Sequence, residues 1–383
     1  MWAGWGWRAE SWKAGVSFPT RIGAPRLQRT TPFLPIPCLK KNLLAARNAR
    51  LFEYTLSARR CGLRFLFWRI VMDESVLIAV LMGGPGSERE VSLSSGQAVL
   101  EALQGEGMNA LGVDVTDRTP TLPEGTGLAF NMIHGTYGED GGLQEYLEAL
   151  GVPYTGAGRV SSDLAFDKVA SKKCFVEAGV PTPVSEIIDV SNGIPLPTME
   201  FPYVVKPPKE GSSVGVHIVR TADEAQDAME DAAKYGDEVL VEQFVEGKEL
   251  TVGIVGEEVF PIVQIVPRSG FYDMANKYPW MSGDGGTDYH CPADLDVTTA
   301  KMVSDSALAA HNALGIEVYS RVDILLDSYG HPYILEANTI PGMTASSLLP
   351  KAAAAAEPSY GFGALCCRIG ELSLALRETN AST

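Results

Sequence analysis

The chain has 383 residues, of which 45% are apolar and 20% charged, and a formal net charge of −16. That length suits two or three domains with a sizeable core, and the composition is that of a soluble globular protein. So large an excess of acid argues against a nucleic-acid-binding surface, and with no run of 18 apolar residues no membrane-spanning helix is predicted.

The charge is unevenly spread. Residues 1–71 carry 13 Lys and Arg against only Glu10 and Glu53, together with five of the six Trp, whereas residues 72–383 carry 18 basic and 45 acidic side chains. Three readings of the first segment stay open: an Arg-rich presequence, a basic, Trp-bearing anchor to a membrane surface, or upstream sequence outside the working protein. Met72 favours the last, because MDESVLIAVLMGG reads as a start running straight into a first strand. Residues 1–71 show no helical or strand periodicity over any long window, so no regular structure is expected there. The six Cys have no metal-type spacing and no secretory signal is evident, which predicts reduced thiols and a cytoplasmic location.

In chain order, SVLIAVLMGG (75–84) reads as a buried parallel strand. SEREVSLSSGQAVLEALQGEG follows as a helix stopped by Gly105 and Gly107. ALGVDV (110–115) and GLAFNMIHG (127–135) are strands, and GGLQEYLEALG is a helix ended by Gly151. This alternation predicts a small doubly wound α/β unit over residues 72–160. DKVASKKCFVEAGV (167–180) is a helix, FPYVVKP and VGVHIV are strands, TADEAQDAMEDAAKYG is an amphipathic helix and DEVLVEQFVEG a strand. ELTVGIVGEEVFPIVQIVP reads as a hairpin turning at Gly256–Glu257. Residues 267–292 have no periodicity and read as a long functional loop. A helix over 297–314, the strands EVYSRVDILLD and HPYILEAN joined by SYG, and a helical tail over 345–376 complete the pattern. The expected division is 72–160, 161–255 and 256–376, with 377–383 as a tail, in the α/β class (α+β overall).

KPPKEGSSVGV, Lys206 to Val216, breaks a pair of good strands with a small basic loop. A P-loop needs a strand, the loop, then a helix; here a strand follows. Such a loop would cover phosphates as a flap, through backbone N–H groups and the hydroxyls of Ser212 and Ser213, with Lys206 as a point charge. By itself the stretch also fits a Gly-rich hairpin turn. The C-terminal strand pair adds weight to the phosphate reading. Arg321 and Asp323 share one face of YSRVDILLD, and Glu336 and Asn338 share one face of ILEAN. SYG lets the strands lie antiparallel with Asp323 near Glu336. Buried carboxylates need partners; hard oxygen donors without His or Cys point to Mg²⁺ or Mn²⁺, and Mg²⁺ beside a phosphate-covering loop points to ATP. A structural salt bridge of Arg321 with Asp323 or Glu336 is the alternative.

GGPGSEREVSLSSG, HGTYGEDGGLQ, KPPKEGSSVGV, KYPWMSGDGGTDYHCPA, SRVDILLD and LEANTIPGMTASSLLP follow one another in an order that resembles the D-alanine–D-alanine ligase family, over about residues 75–375. The resemblance implies an ATP-grasp fold behind an N-terminal α/β domain, and ATP-dependent joining of two D-alanines through an acyl phosphate for peptidoglycan synthesis. It implies that Lys168, Lys206, Glu242 and Glu249 contact ATP, that the loop with Ser212 and Ser213 closes over the phosphates, and that Lys277 reaches them. Asp323, Glu336 and Asn338 would hold two Mg²⁺ (or Mn²⁺) ions. Glu88 would hold the first D-alanine's ammonium near His134, and Arg321 and Gly342 would face the tetrahedral intermediate. Ser347 and Leu348 would hold the second D-alanine. Glu88, Ser212 and Tyr278 would form a hydrogen-bonded triad, with loop 267–292 as the lid. A homodimer is expected on the same ground. Gln243 and Ile340 depart from residues common in relatives, and GDGG lengthens the lid. D-Lactate or D-serine as second substrate, or an ATP binder without catalysis, are the alternatives; Tyr278 argues against lactate.

Overall fold

The computed structural model describes residues 49–54, 67–268, 286–344 and 347–381. Composition predicts no regular structure before Met72; instead β1 (Ala49–Tyr54) pairs antiparallel with β2 (Phe67–Met72). Both are six-residue runs with β-branched or aromatic residues, too short to stand out in a long periodicity window.

The α/β unit forms as its alternation predicts. A parallel sheet runs in the order β4 (Ala110–Val115), β3 (Leu77–Gly83), β5 (Thr126–Asn131). Helix α1 (Arg89–Gly105) makes the crossover and buries Val99 and Leu103 against it. Gly96 is the contact point, since a Cβ there would run into Met82. Helix α2 (Gly142–Ala149) follows.

Two helices then lead into a second layer: α3 (Arg159–Phe166), which sequence periodicity does not reveal in its eight residues, and α4 (Lys168–Glu177). Asp167 caps α4, accepting from the amides of Val169 (2.9 Å) and Ala170 (3.1 Å). The antiparallel sheet has the order β6 (Ser185–Asp189), β9 (Glu238–Gln243), β7 (Tyr203–Lys206), β8 (His217–Val219). Helix α5 (Ala222–Ala232), begun by a Thr221/Glu224 capping box, covers one face with Ala225, Ala228 and Met229.

The third layer is a six-stranded antiparallel sheet: β13 (Thr287–His290), β12 (Val263–Pro267), β10 (Gly247–Val255), β14 (Tyr319–Asp327) and β15 (Pro332–Asn338), with β11 (Glu258–Val259) also on β10. Two expectations change here. The boundary at 255 would leave β10 in the central sheet, but β10 pairs along its whole length with β14, so the sheets part between Gln243 and Gly247. The predicted hairpin at Gly256–Glu257 requires this. The predicted loop 267–292 also contains β13, a four-residue edge strand whose signal is weak without its partner. Residues 269–285 of that loop lie outside the described residues.

Helix α6 (Val297–Ala313) packs Val303, Ala307 and Ala310 on Val252, Val322 and Ile324. On the opposite face Phe260, Val263 and Leu349 join Ile78, Val80, Phe130 and Ile369 in one core, which binds the α/β unit to the C-terminal sheet. The predicted helical tail is two helices, α7 (Leu348–Ala354) and α8 (Phe362–Ala381). Cys366 is fully buried in that core, an apolar role.

Two buried polar groups tie these layers together. Lys172, on α4, donates to Thr182 Oγ1 (2.6 Å) and the Pro183 carbonyl (2.8 Å), and its Nζ lies 2.9 Å from Glu242 Oε1. Thr182 in turn donates to the Ile334 carbonyl on β15 (2.8 Å). Burial pushes the Lys172 ammonium below its ordinary pKa. Burial pushes Glu242 up, but Lys206 and Lys172 more than offset this and hold it below the usual range. Lys172→Met leaves Glu242 with Lys206 alone and Thr182 and the Pro183 carbonyl short of a donor, and should lower stability by about 1–3 kcal/mol in urea unfolding. His311, on α6, pairs its Nδ1 with Ser320 Oγ on β14 (2.8 Å), and burial pushes its pKa down to about 4. The unfolded chain takes up that proton near pH 6.5, so stability should fall as pH drops from about 6.5 to about 4, by on the order of 3 kcal/mol. His311→Asn should flatten this limb of the Tm-versus-pH curve.

Candidate active site

The centre of the site is built by strand register. Arg321 lies opposite Asn338, and Asp323 opposite both Glu336 on β15 and Thr251 on β10. Arg321 grips Asp323 in bidentate fashion, Nε to Oδ1 (3.0 Å) and Nη2 to Oδ2 (2.8 Å). Thr251 Oγ1 donates to Oδ1 (2.6 Å) and Asn338 Nδ2 to Oδ2 (3.0 Å). The salt bridge raised as the alternative is thus present, and it coexists with the gathering of Asp323, Glu336 and Asn338. Two carboxylates and an amide oxygen make a hard donor set, the kind that Mg²⁺ takes. Among the described residues no group of three or more His, Cys, Asp or Glu could hold a metal. The residues fit that ion in kind once the Asn338 amide turns its oxygen toward Asp323.

Lys168 connects this centre to the loop before Gly211. Its Nζ lies 3.0 Å from Glu336 Oε2 and donates to the Glu210 carbonyl (2.8 Å) in the flap. Burial pushes its pKa down, but Glu336 more than reverses this, so the ammonium is held above its ordinary value. Lys206 and Glu242 meet at 2.6 Å. Glu249 is half-buried on β10, opposite Ile265 and Leu325. These four residues lie outside the cleft described next.

That cleft, of about 110 Å³, has room for three or four water-sized groups at about 30 Å³ each, hence for a small ligand. Glu88, Ser212, His134 and Arg321 line it together with Glu336 and Asn338; Gly342, Ser347 and Leu348 close its other end. Ser212 and Ser213 both take left-handed backbone (φ 51° and 61°), a costly conformation for residues with a Cβ. Gly211 brings this strained turn against Glu88, into whose carboxylate a Cβ would run. No Glu88–Ser212 hydrogen bond is among those of the described residues. Tyr278 and Lys277 lie outside the described residues. Ser347 precedes α7 and its Oγ accepts from the Thr344 amide (3.0 Å).

His134 has both ring nitrogens engaged. Nδ1 donates to the Ile340 carbonyl (2.9 Å), and Nε2 pairs with Ser95 Oγ (2.9 Å). Glu139 Oε1 lies 3.7 Å from Nδ1. Burial lowers the His134 pKa, but Glu139 outweighs it and the net shift is upward; burial pushes Glu139 up as well. Glu139, Ser95 and Tyr289 all line the cleft and escape the sequence reading. Glu139 had a signal in HGTYGEDG; Thr251, behind Asp323, had none beyond its place on a strand. Burial raises the Cys291 pKa, and its Sγ faces the Pro261 and Lys351 carbonyls at 4.0 Å. Among the described residues no helix is long and apolar enough to cross a membrane.

Residues 195–362 match the family model described as D-ala D-ala ligase C-terminus. A D-alanine–D-alanine ligase of Methylacidiphilum infernorum is 43% identical over 296 residues, 77% of this chain and 95% of that protein. One from Pelobacter propionicus is 46% identical over 281 residues, 72% and 89%. Among solved structures, the Bacillus anthracis D-alanine–D-alanine ligase complexed with ATP superposes with a TM-score of 0.69 at 31% identity, covering 80% of this chain and all of the other. The VanG D-Ala:D-Ser ligase of Enterococcus faecalis gives 0.67 at 26% identity, covering 78% and 99%. The layers, the cleft and these likenesses agree: the chain belongs to the D-alanine–D-alanine ligase family, with its ATP-grasp fold.

Proposed function

We propose that this protein joins two D-alanines with ATP, giving D-alanyl-D-alanine, ADP and phosphate for peptidoglycan synthesis. The observation that carries this reading is the meeting, in one small cleft, of Glu88, of Arg321 with Glu336 and Asn338, and of Ser212 from the strained turn. A carboxylate is a poor electrophile, so its oxygen first attacks the γ-phosphorus of ATP, forming an acyl phosphate and releasing ADP. Lys168 and Lys206 hold the phosphates; Glu242 and Glu249 serve the adenine and ribose end. Asp323, Glu336 and Asn338 would hold two Mg²⁺ (or Mn²⁺) ions, which would supply neutralisation of the charge on the transferred phosphoryl group. Glu88 binds the first D-alanine's ammonium beside His134, whose own ring is fixed by Ser95 and Ile340. The second D-alanine, its carboxylate held at Ser347 and Leu348 by the start of α7, attacks the acyl carbon as a neutral amine. Arg321 and the Gly342 backbone face the developing oxyanion, and phosphate departs as the peptide bond remains. Ser213 and the Gly211–Gly215 backbone cover the phosphates, while Lys277 and Tyr278 complete the closure from the loop, Tyr278 joining Glu88 and Ser212.

The working form is a cytoplasmic homodimer. The likeness to a D-Ala:D-Ser ligase makes D-serine the second reading for the acceptor. The full chain, given ATP, Mg²⁺ and D-alanine, should release phosphate and form the dipeptide, and L-alanine should not replace D-alanine. D-Serine and D-lactate offered with D-alanine rank the acceptors. No ADP from any D-amino acid would overturn the ligase reading in favour of a non-catalytic nucleotide binder. Arg321→Met should lower kcat by about 10²–10³-fold in the same assay.

A further inference from the structure

The metal-ligand set has a supporting residue that does not reach the cleft. Thr251 sits on β10 directly opposite Asp323 and is buried to 1% exposure. Its Oγ1 is 2.6 Å from Asp323 Oδ1 and 3.1 Å from the Val322 carbonyl. A hydroxyl has one proton to give, and the shorter, charge-assisted contact takes it. Oδ1 is therefore held by Thr251 and by Arg321 Nε (3.0 Å), while Oδ2 is met by Arg321 Nη2 (2.8 Å) and Asn338 Nδ2 (3.0 Å). The two oxygens are not equivalent. Oδ1 points back into the sheet toward β10; the partners of Oδ2 are both residues that line the cleft.

We infer that Thr251 is a positioning residue that fixes the rotation of the Asp323 carboxylate and leaves Oδ2 as the oxygen offered to a divalent cation. This rests on the reading of Asp323 as a metal ligand. Without the hydroxyl, Oδ1 keeps only Arg321 Nε, and the carboxylate is freer to rotate about its Cβ–Cγ bond. Groups that orient ligating carboxylates are worth about 10–100-fold in metal affinity. A hydroxyl that only satisfied a buried charge would change stability and leave metal affinity alone.

The test is Mn²⁺ binding to the full chain in the presence of ADP, read by electron paramagnetic resonance. Thr251→Val should weaken Mn²⁺ binding by about 10–100-fold, and Thr251→Ser, which keeps the hydroxyl, should return it close to the wild-type value. Thr251→Ala gives the same comparison should the Val variant fold poorly. Val and Ala variants that bind Mn²⁺ like the wild type would overturn the positioning role and leave the ligase reading standing. A wild-type chain that binds no Mn²⁺ with ADP, while still releasing phosphate with D-alanine, would overturn the metal assignment and this role with it. D-Alanine-dependent phosphate release, measured alongside, reports on the ligase reading separately.

Discussion

A buried carboxylate, Asp323, is the constraint on which the rest of this site depends. It is 9% exposed, in the middle of a six-stranded sheet. Charge in such a place is tolerated only when it is well paired, and here Thr251, Arg321 and Asn338 give its two oxygens four hydrogen bonds. Three adjacent strands must hold a single register to achieve this. A one-residue slip of β14 against β10 would send Asp323 and Arg321 to the opposite face, among Val252, Val322 and Ile324. The apolar packing of α6 on that face therefore fixes the chemistry on the other.

Helix α4 extends the same logic to the nucleotide side. Lys168 and Lys172 are four apart, one turn on one face. One reaches Glu336 and the other Glu242, so a single helix addresses both acidic centres. Lys168 stands in the first turn, where the helix dipole disfavours a cation. Asp167 and Glu336 offset that cost, Glu336 through an ion pair at 3.0 Å. The flap tells a similar story. Consecutive left-handed serines oppose local preference, and such departures gather where function sets the conformation.

The sequence was most informative where periodicity and chemistry coincide. YSRVDILLD and ILEAN announce their strands, their shared face and their polar cluster together, and the structure pairs them as that pattern requires. The α/β unit was legible because its apolar runs alternate cleanly. Elements whose identity depends on a neighbour stayed hidden. β13 exists because β12 offers an edge, and β10 changes sheets because β14 outcompetes the central layer along nine residues. Thr251 and the buried Lys172 stayed hidden for the same reason. Each touches a functional group that is distant in sequence, and a threonine on a strand or a lysine on a helix carries no mark of that.

The central claim is that this cleft activates a carboxylate by phosphorylating it. D-Alanine labelled with ¹⁸O in its carboxylate tests that claim most directly. If an acyl phosphate forms and an amine displaces phosphate, one labelled oxygen should leave with each phosphate released, in step with each dipeptide formed. Unlabelled phosphate accompanying dipeptide would contradict the account, because the bridging oxygen would then come from water and not from the substrate.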